Sequence, residues 1–196
     1  MTQLSGRDHP EPDVSVTIVS FNCRDLVLEC IESLESAVTA PRTLEVVVVD
    51  NDSRDQTVEA IRERFPDVRV IPRDVNAGFG SSHNLAAASA RGRYLFVLNP
   101  DAVVAPGALD LLVEFADRRE AAGEPVGVAA PGLLNADLTD QRTARTFPTM
   151  SAGIFGRRSP LTPWFPDNRR SKKFLEPPRG EADEPYVVDW VSGAAM

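Results

Sequence analysis

Four short polar clusters in the first half of the chain each follow an apolar run. They are Ser20-Phe21-Asn22, Asp50-Asn51-Asp52-Ser53, residues 74–80 and Asn99-Pro100-Asp101. Phe21 offers a flat face on which a nucleobase could stack, and an acid in the second cluster could accept the imide N–H of uracil or thymine. Asp101 could hold a divalent cation against a diphosphate, because Mg²⁺ favours one or two carboxylates plus substrate phosphates. Each cluster alone would equally suit a turn or a helix cap, so only their combination indicates a site.

The apolar runs before these clusters have the pattern of strands. Residues 14–19, 44–49, 68–71 and 94–98 are rich in β-branched and other apolar residues, and 126–129 is a candidate fifth strand. Apolar residues at helical spacing predict four helices. The first follows Asn22, the second follows a cap at Asp52 or Ser53, the third covers 81–91 and the fourth begins at Pro106. The first helix is expected to bury Leu26, Val27, Cys30, Ile31 and Leu34.

Alternating strands and helices predict an α/β fold, with a mostly parallel sheet and helices on both faces. In such sheets ligands bind beyond the carboxyl ends of the strands. All four polar clusters fall at that edge.

Composition excludes several other classes of protein. The 196 residues carry a net charge of −8, whereas broad electrostatic binding to nucleic acid needs a basic surface. No stretch approaches the roughly 20 apolar residues of a membrane span, and the N-terminus lacks the apolar core of a secretory signal. Two cysteines, Cys23 and Cys30, form neither a disulfide framework nor a zinc site. P-loop and Gly-x-Gly-x-x-Gly motifs are also missing, which disfavours the common nucleotide folds that carry them.

Charge and proline content divide the chain. Residues 157–180 contain seven basic and two acidic residues, and seven of the 16 prolines lie between Pro148 and Pro185. We therefore predict a flexible tail over 1–13, a compact core over 14–147, a Pro-rich basic variable region over 148–186 and a final segment over 187–196. The basic region, with its interleaved aromatic residues, suits an anionic membrane or a lipid pyrophosphate. A disordered, solvated loop is the alternative.

Five segments, taken together and in this order, resemble family 2 glycosyltransferases with the GT-A fold, in particular a rhamnosyltransferase-like bacterial group. They are VSVTIVSFN at 14–22, VVVDNDS at 47–53, NAGFGSSHN at 76–84, RGRYLFVLNPD at 91–101 and VDWVSGA at 188–194. The resemblance covers most of the chain. It implies a GT-A, Rossmann-like core that binds a nucleotide sugar, followed by an acceptor half of which residues 187–196 would be only the start.

The resemblance also implies roles for individual residues. The nucleobase would lie against Val19, Ser20 and Phe21, and Asp50 would hydrogen-bond to the pyrimidine, with Asp52 as a neighbour or a helix cap. Asn99 would contact the ribose or the sugar, and Asp101 would coordinate Mg²⁺ or Mn²⁺ as the single carboxylate of an Asn-Pro-Asp motif. Further nucleotide-binding residues would be Asn76, Gly78, Phe79 and Asn84, and the cleft for donor sugar and acceptor would be lined by Trp190, Ser192 and Gly193.

The activity implied is inverting transfer of a sugar from a UDP- or dTDP-sugar, with dTDP-rhamnose as one candidate donor. The acceptor would be a cell-envelope glycan or a lipid-linked molecule, and the protein would be cytoplasmic or peripheral at the inner face of the plasma membrane. We expect the general base beyond Met196, in a chain truncated at its C-terminus. Two alternatives remain: a non-catalytic nucleotide-sugar-binding fragment or degenerate relative, and a nucleotidyltransferase. The second is disfavoured because a Gly-rich, Lys-containing loop after the first strand is missing.

Overall fold

The computed structural model describes residues 11–141, 143–144 and 184–196. The chain divides into two compact units, one formed by Met1–Pro131 with Gly193–Met196 and the other by Gly132–Ser192. The predicted tail over 1–13 lies mostly outside the described residues, as does most of the basic region over 148–186. The domain boundaries proposed from composition therefore stay predictions.

The first unit is built on a parallel sheet. Its strands are β1 (Val14–Ser20), β2 (Leu44–Asn51), β3 (Arg69–Arg73) and β4 (Tyr94–Leu98), in the order β3-β2-β1-β4. Its helices are α1 (Arg24–Ser33), α2 (Thr57–Arg64), α3 (Phe79–Ser89) and α4 (Ala108–Ala121), with a short 3₁₀ helix at Leu34–Ser36. The predicted α/β fold with a mostly parallel sheet is confirmed.

The two central strands form the core because both of their faces are buried. Every residue of β1 and of β2 is buried, as expected for a parallel strand covered on both sides. Helix α3 packs on β1 and β2, where Val47 and Val49 meet Ala86. Successive side chains of a strand point to opposite faces. The valines on the other face of β2, Val46 and Val48, are also removed from solvent.

The predicted fifth strand at 126–129 is wrong. This segment has no strand in the structure, and Val128 remains 65% exposed. The free edge of β4 pairs instead with the last residues of the chain, in the antiparallel sense: Val97 N donates to Met196 O at 2.7 Å, and Met196 N donates to Val97 O at 3.0 Å. Two valines separated by Gly127 and preceded by Pro125 bury too little apolar surface to form a strand without a partner edge.

Three local expectations also need correction. Neither Asp52 nor Ser53 caps α2, because that helix begins only at Thr57; the side chain of Asp55 binds its first turn. Leu26 is 49% exposed, since the buried stripe of α1 is narrower than the spacing suggested. Helix α4 begins at Ala108 and not at Pro106, after a Gly107 with a left-handed φ of 70°.

None of the helices in the described part of the chain is long and apolar enough to cross a bilayer.

Candidate functional site

The carboxyl edge of the sheet brings several predicted site residues together. In the strand register Ser20 lies opposite Asp50, and Ile18 lies opposite Leu98. The ends of β1, β2 and β4 therefore adjoin one another, with Asn99 directly after β4. Phe21 follows β1 at this edge and is 48% exposed, so its ring is accessible for stacking.

Asp50 lies at the centre of this edge but has only 2% of its surface exposed. One of its oxygens accepts a hydrogen bond from Ser20 Oγ at 3.0 Å, and the other accepts one from Ser53 N at 3.0 Å. The carboxylate thus joins β1 to the turn after β2. Its predicted contact with a pyrimidine would have to use the remaining lone pairs of these oxygens.

A second link joins the same two segments further out. Asn22 N donates to Ser53 Oγ at 2.9 Å, and Asn22 Oδ1 accepts from Arg54 N at 2.8 Å. Asp55 accepts from Arg24 N at 2.9 Å. Asp52, a predicted site residue, is partly exposed and has a left-handed φ of 68°.

The loop before α3 is anchored to the end of β2. Asn76 Oδ1 accepts from Gly78 N at 3.0 Å, and Gly78 has a φ of 80° that favours glycine. Asn51, which is 2% exposed, accepts from Ser82 Oγ at 2.6 Å and donates to Gly78 O at 3.5 Å. Sequence reasoning did not select Asn51 as a site residue. The feature that could have identified Asn51 is its amide side chain, which stands at the end of a strand and faces the N-terminus of a helix.

The first turn of α3 presents an aromatic pair. Phe79 is 47% exposed and meets His83 in an edge-to-face contact, with ring centroids 4.3 Å apart. His83 Nδ1 lies 3.2 Å from Thr17 Oγ1, while His83 Nε2 is buried with no hydrogen-bond partner among the described residues. Burial lowers the pKa of His83, which favours the neutral imidazole. Asn84, also predicted at the site, is exposed on the same helix.

The charges of acidic groups act on two thiols, Cys23 directly before α1 and Cys30 within it. Burial is the largest cause of the raised pKa of Cys23, and a hydrogen bond with the backbone of Phe21 acts to lower this pKa. The negative charges of Asp55, Asp50 and Asp101 raise it further. The pKa of Cys30 is raised to about 12, mainly by burial and to a smaller extent by the negative charge of Asp101. The acids come from two segments, Asp50 and Asp55 from the end of β2 and the turn after it and Asp101 from the loop after β4, and both cysteines are protonated thiols at neutral pH.

Asp101 is exposed at the end of the β4 loop. Within the described part of the chain no group of three His, Cys, Asp or Glu side chains forms a preassembled metal site. A single exposed carboxylate fits a hard cation that keeps several waters and arrives with substrate phosphates. It does not fit a cation caged by protein ligands alone.

The predicted cleft residues fall in different units. Trp190 and Ser192 belong to the second unit, in which Ser192 N donates to Thr143 O at 3.2 Å. Gly193 belongs to the first unit, where a Cβ at this position would lie 3.9 Å from Phe79 Cε1.

An open groove of about 580 Å³ lies beside the predicted site. Its lining residues come from the start of α1 and the turn before α2, and they include Arg24, Arg54 and Asp55. None of the residues predicted for the nucleotide or the metal lines it. We place the candidate site at the sheet edge and not in this groove, because the exposed Phe21, together with Asp50 and Asp101, lies at the edge.

Comparison with known proteins identifies the class of this protein. The model of the family described as "Glycosyl transferase family 2" matches residues 15–160. Because this match spans well over half of the chain, the chain belongs to glycosyl transferase family 2, as its motifs implied.

Individual relatives add detail. The N-acetylglucosaminyl-diphospho-decaprenol L-rhamnosyltransferase of Mycobacterium tuberculosis is 27% identical over 82% of this chain and 53% of its own length. The succinoglycan biosynthesis protein ExoO of Rhizobium meliloti is 39% identical over 69% of this chain and 37% of its own length. This chain therefore spans about half of the first relative, and less of the second.

A solved structure confirms the fold. The crystal structure of residues 1–349 of S. aureus TarS in complex with UDP-GlcNAc matches with a TM-score of 0.51 and 25% identity, over 55% of this chain and 32% of that one. The GT-A architecture predicted from the motifs is thereby confirmed.

Proposed function

We propose that the protein transfers a sugar from a UDP- or dTDP-sugar to a cell-envelope glycan or a lipid-linked acceptor. Family membership supports a glycosyltransferase. The printed names of two relatives, a rhamnosyltransferase acting on a lipid diphosphate and a succinoglycan biosynthesis protein, support the acceptor class. The UDP-GlcNAc complex of TarS supports a uridine nucleotide, and dTDP-rhamnose remains a specific candidate donor through the mycobacterial relative.

The observation that carries this proposal is the convergence of Phe21, Asp50 and Asp101 on one edge of a parallel sheet. A ring for stacking, an acceptor for an imide N–H and a carboxylate for a cation are what a pyrimidine nucleoside diphosphate requires. Helix α3 begins at the same edge, after Gly78. Its N-terminal amides favour negative charge.

Asp101 would hold Mg²⁺ or Mn²⁺, and such a cation would neutralise charge on the departing diphosphate. The chain's own contribution is to place Asp101 on the loop that follows β4. Asn99 lies on the same loop, and its backbone is held by Ala194 O at 2.8 Å. This bond fixes the start of the loop relative to the end of the chain.

The proposed reaction is a displacement with inversion. The acceptor hydroxyl attacks the anomeric carbon, the bond from that carbon to the diphosphate oxygen breaks, and a general base takes the hydroxyl proton. We assign that base to no residue of this chain.

Binding is tested by calorimetry with UDP, dTDP and ADP, each with and without Mg²⁺ or Mn²⁺. We expect heat with UDP or dTDP, enhanced by the cation, and weaker binding of ADP. No heat with either pyrimidine nucleotide would contradict the proposal. Incubation of UDP-GlcNAc or dTDP-rhamnose with a lipid-diphosphate acceptor, followed by assay of released UDP or dTDP, then separates two outcomes, since binding without turnover would support the non-catalytic alternative.

We further propose a peripheral location at the inner face of the plasma membrane, supported by the basic residues between 157 and 180. These residues lie outside those described. Co-sedimentation with anionic vesicles tests it, using a variant with Arg157, Arg158, Lys172 and Lys173 changed to Ala. Vesicle binding equal to that of the unaltered chain would contradict the membrane role.

A further inference from the structure

The turn between β2 and α2 is tied to the loop after β1 by a set of hydrogen bonds that we name the 22–55 clasp. Asp55 is central to it. One carboxylate oxygen of Asp55 accepts from Arg24 N, at the first turn of α1, at 2.9 Å. The other accepts from Thr57 N at 3.3 Å and from Thr57 Oγ1 at 2.5 Å, at the first turn of α2. A single side chain therefore joins the starts of two helices.

Asn22 completes the clasp from the opposite segment. Its N–H donates to Ser53 Oγ, and its Oδ1 accepts from Arg54 N. The two segments thus exchange hydrogen bonds in both directions across more than thirty residues of sequence. Such reciprocal bonds restrict the separation of the segments as well as their relative orientation.

Left-handed backbone occurs at three residues in or beside the clasp and, elsewhere in the described part of the chain, at the non-glycine residue Leu138 between Asp137 and Thr139. Asn22, Asp52 and Gln56 have left-handed φ values of 50°, 68° and 63°. Side chains other than glycine rarely adopt this region, and such residues persist where the surrounding structure over-determines them. The hydrogen bonds of Asp55 and Asn22 supply that restraint here.

The clasp holds the groups proposed to contact the nucleobase. Phe21 lies between Ser20, which donates to Asp50, and Asn22, which belongs to the clasp. Asp50 in turn accepts from Ser53 N. Ser20 and Asp50 are also held by the pairing of β1 with β2. Release of the clasp would therefore free the backbone that follows Phe21 and the turn that follows Asp50, without removing any of the base contacts.

The second unit offers a matched local geometry without the clasp. Asp137 Oδ1 accepts from Thr139 N at 3.0 Å and from Thr139 Oγ1 at 2.6 Å, which repeats the Asp55–Thr57 arrangement. Hydrogen bonds from Thr139 lower the pKa of Asp137. For Asp55, burial acts to raise the pKa, but hydrogen bonds from Thr57 and Arg24 outweigh it and lower the pKa. Both groups are therefore carboxylates at neutral pH, and only Asp55 crosses to another chain segment through the bonds described.

We propose that Asp55 is a positioning residue for nucleobase recognition: its carboxylate, as the centre of the 22–55 clasp, sets the relative placement of Phe21 and Asp50. This inference rests on the proposed function. It assigns to Asp55 no contact with the substrate.

The test measures the dissociation constants of UDP and ADP by calorimetry for the whole chain and for Asp55→Asn. An amide has one acceptor oxygen in place of two, so the variant can keep only one side of the clasp. We expect the ratio of the ADP to the UDP dissociation constant to fall about tenfold, the effect of losing one charge-assisted hydrogen bond. A change in the folded fraction alone would cancel from this ratio. Asp137→Asn is the control, and its ratio is expected to match that of the unaltered chain.

The outcomes are distinguishable. If the unaltered chain binds no UDP, the proposed function fails and this inference fails with it. If the unaltered chain binds UDP but Asp55→Asn keeps the same ratio, the inference alone is overturned. The inference is also overturned if the control Asp137→Asn lowers the ratio as much as Asp55→Asn does. If Asp55→Asn does not fold, Ser53→Ala decides the matter, since it removes only the acceptor of Asn22 N. We expect about a threefold fall in the ratio, and an unchanged ratio in the folded variant overturns the inference.

Discussion

The two edges of the parallel sheet use buried acids in opposite ways. At the amino edge, Glu45 is 4% exposed, and its oxygens accept from Ser15 Oγ at 2.6 Å, from Arg91 N at 2.6 Å and from the Arg91 guanidinium at 3.0 Å. The packing there is tight, because a Cβ on Gly92 would lie 2.4 Å from Ser15 N. At the carboxyl edge, Asp50 is equally buried, but it lies among strained turns and half-exposed rings.

This difference indicates that the amino edge contributes mainly to stability and the carboxyl edge mainly to ligand binding. At the amino edge Glu45 is paired with Arg69 and Arg91, and the backbone packs tightly at Gly92. The carboxyl edge has an exposed carboxylate at Asp101, exposed aromatic faces at Phe21 and Phe79, and left-handed backbone at Asn22 and Asp52. Changes at the amino edge should therefore affect unfolding and leave nucleotide binding unaltered, and changes at the carboxyl edge should do the reverse.

The largest effect is expected from Glu45→Ala. It removes the acceptor of the buried Ser15 hydroxyl and the carboxylate partner of the Arg91 guanidinium, and Arg91 N keeps only its longer bond to Ser15 Oγ. We therefore expect a loss of about 3 kcal/mol in the free energy of unfolding. Urea denaturation followed by circular dichroism measures it. The affinity of the folded variant for UDP should equal that of the unaltered chain, and a weaker affinity would contradict the separation of the two edges.

Phe21→Ala should have the opposite profile. Loss of a stacking ring costs roughly 1–3 kcal/mol per base, so the dissociation constant for UDP should rise at least about fivefold in calorimetry. The unfolding midpoint should remain unchanged because the ring is half-exposed. Phe21→Trp serves as the control and should retain affinity. Equal affinity of the Ala variant would remove Phe21 from the site.

Asp101→Ala is expected to abolish the enhancement of UDP binding by Mg²⁺ or Mn²⁺ while leaving metal-free binding intact. Thermal unfolding should show no change, since the carboxylate is exposed. Titration of UDP at fixed protein concentration, with the cation present or chelated, measures the enhancement. An enhancement that persists in the variant would refute the metal assignment.

The smallest effect concerns pH at the amino edge. Burial acts to raise the pKa of Glu45, but hydrogen bonds from Ser15 and Arg91, together with the Arg91 charge, outweigh it and hold the pKa below its ordinary value of 4.5. The stability that Glu45 contributes is therefore fully present above pH 4.5 and is lost as the pH falls through the lower folded pKa. Urea midpoints measured from pH 6 to pH 3 should decline less steeply in Glu45→Gln. An identical slope in both proteins would argue against this linkage.

Much of the fold could be predicted because the strands are patterned locally. The continuous apolar run of β2 predicts a strand covered on both faces, and the polar cluster after it predicts the edge at which ligands bind. The site was predicted less completely. Asp55 and Asn51 form hydrogen bonds with chain segments that are distant in sequence. No local sequence pattern therefore distinguishes these two residues from ordinary turn residues. The segment 126–129 was wrongly predicted to be a strand because its valines have a high β propensity. Strand formation also depends on whether a neighbouring strand is free to pair, and β4 pairs instead with the end of the chain.

The sequence by itself determined the α/β class, the order of strands and helices, and the membership of glycosyl transferase family 2, since these follow from periodicity and from short motifs. Tertiary structure decided that Asp50 is buried with both oxygens engaged, that the end of the chain and not 126–129 covers β4, and that Asp55 and Asn22 close a clasp beside Phe21. The physical reason is that burial and hydrogen-bond partnership belong to pairs of residues. Such pairs form only when parallel strands bring distant segments to one edge.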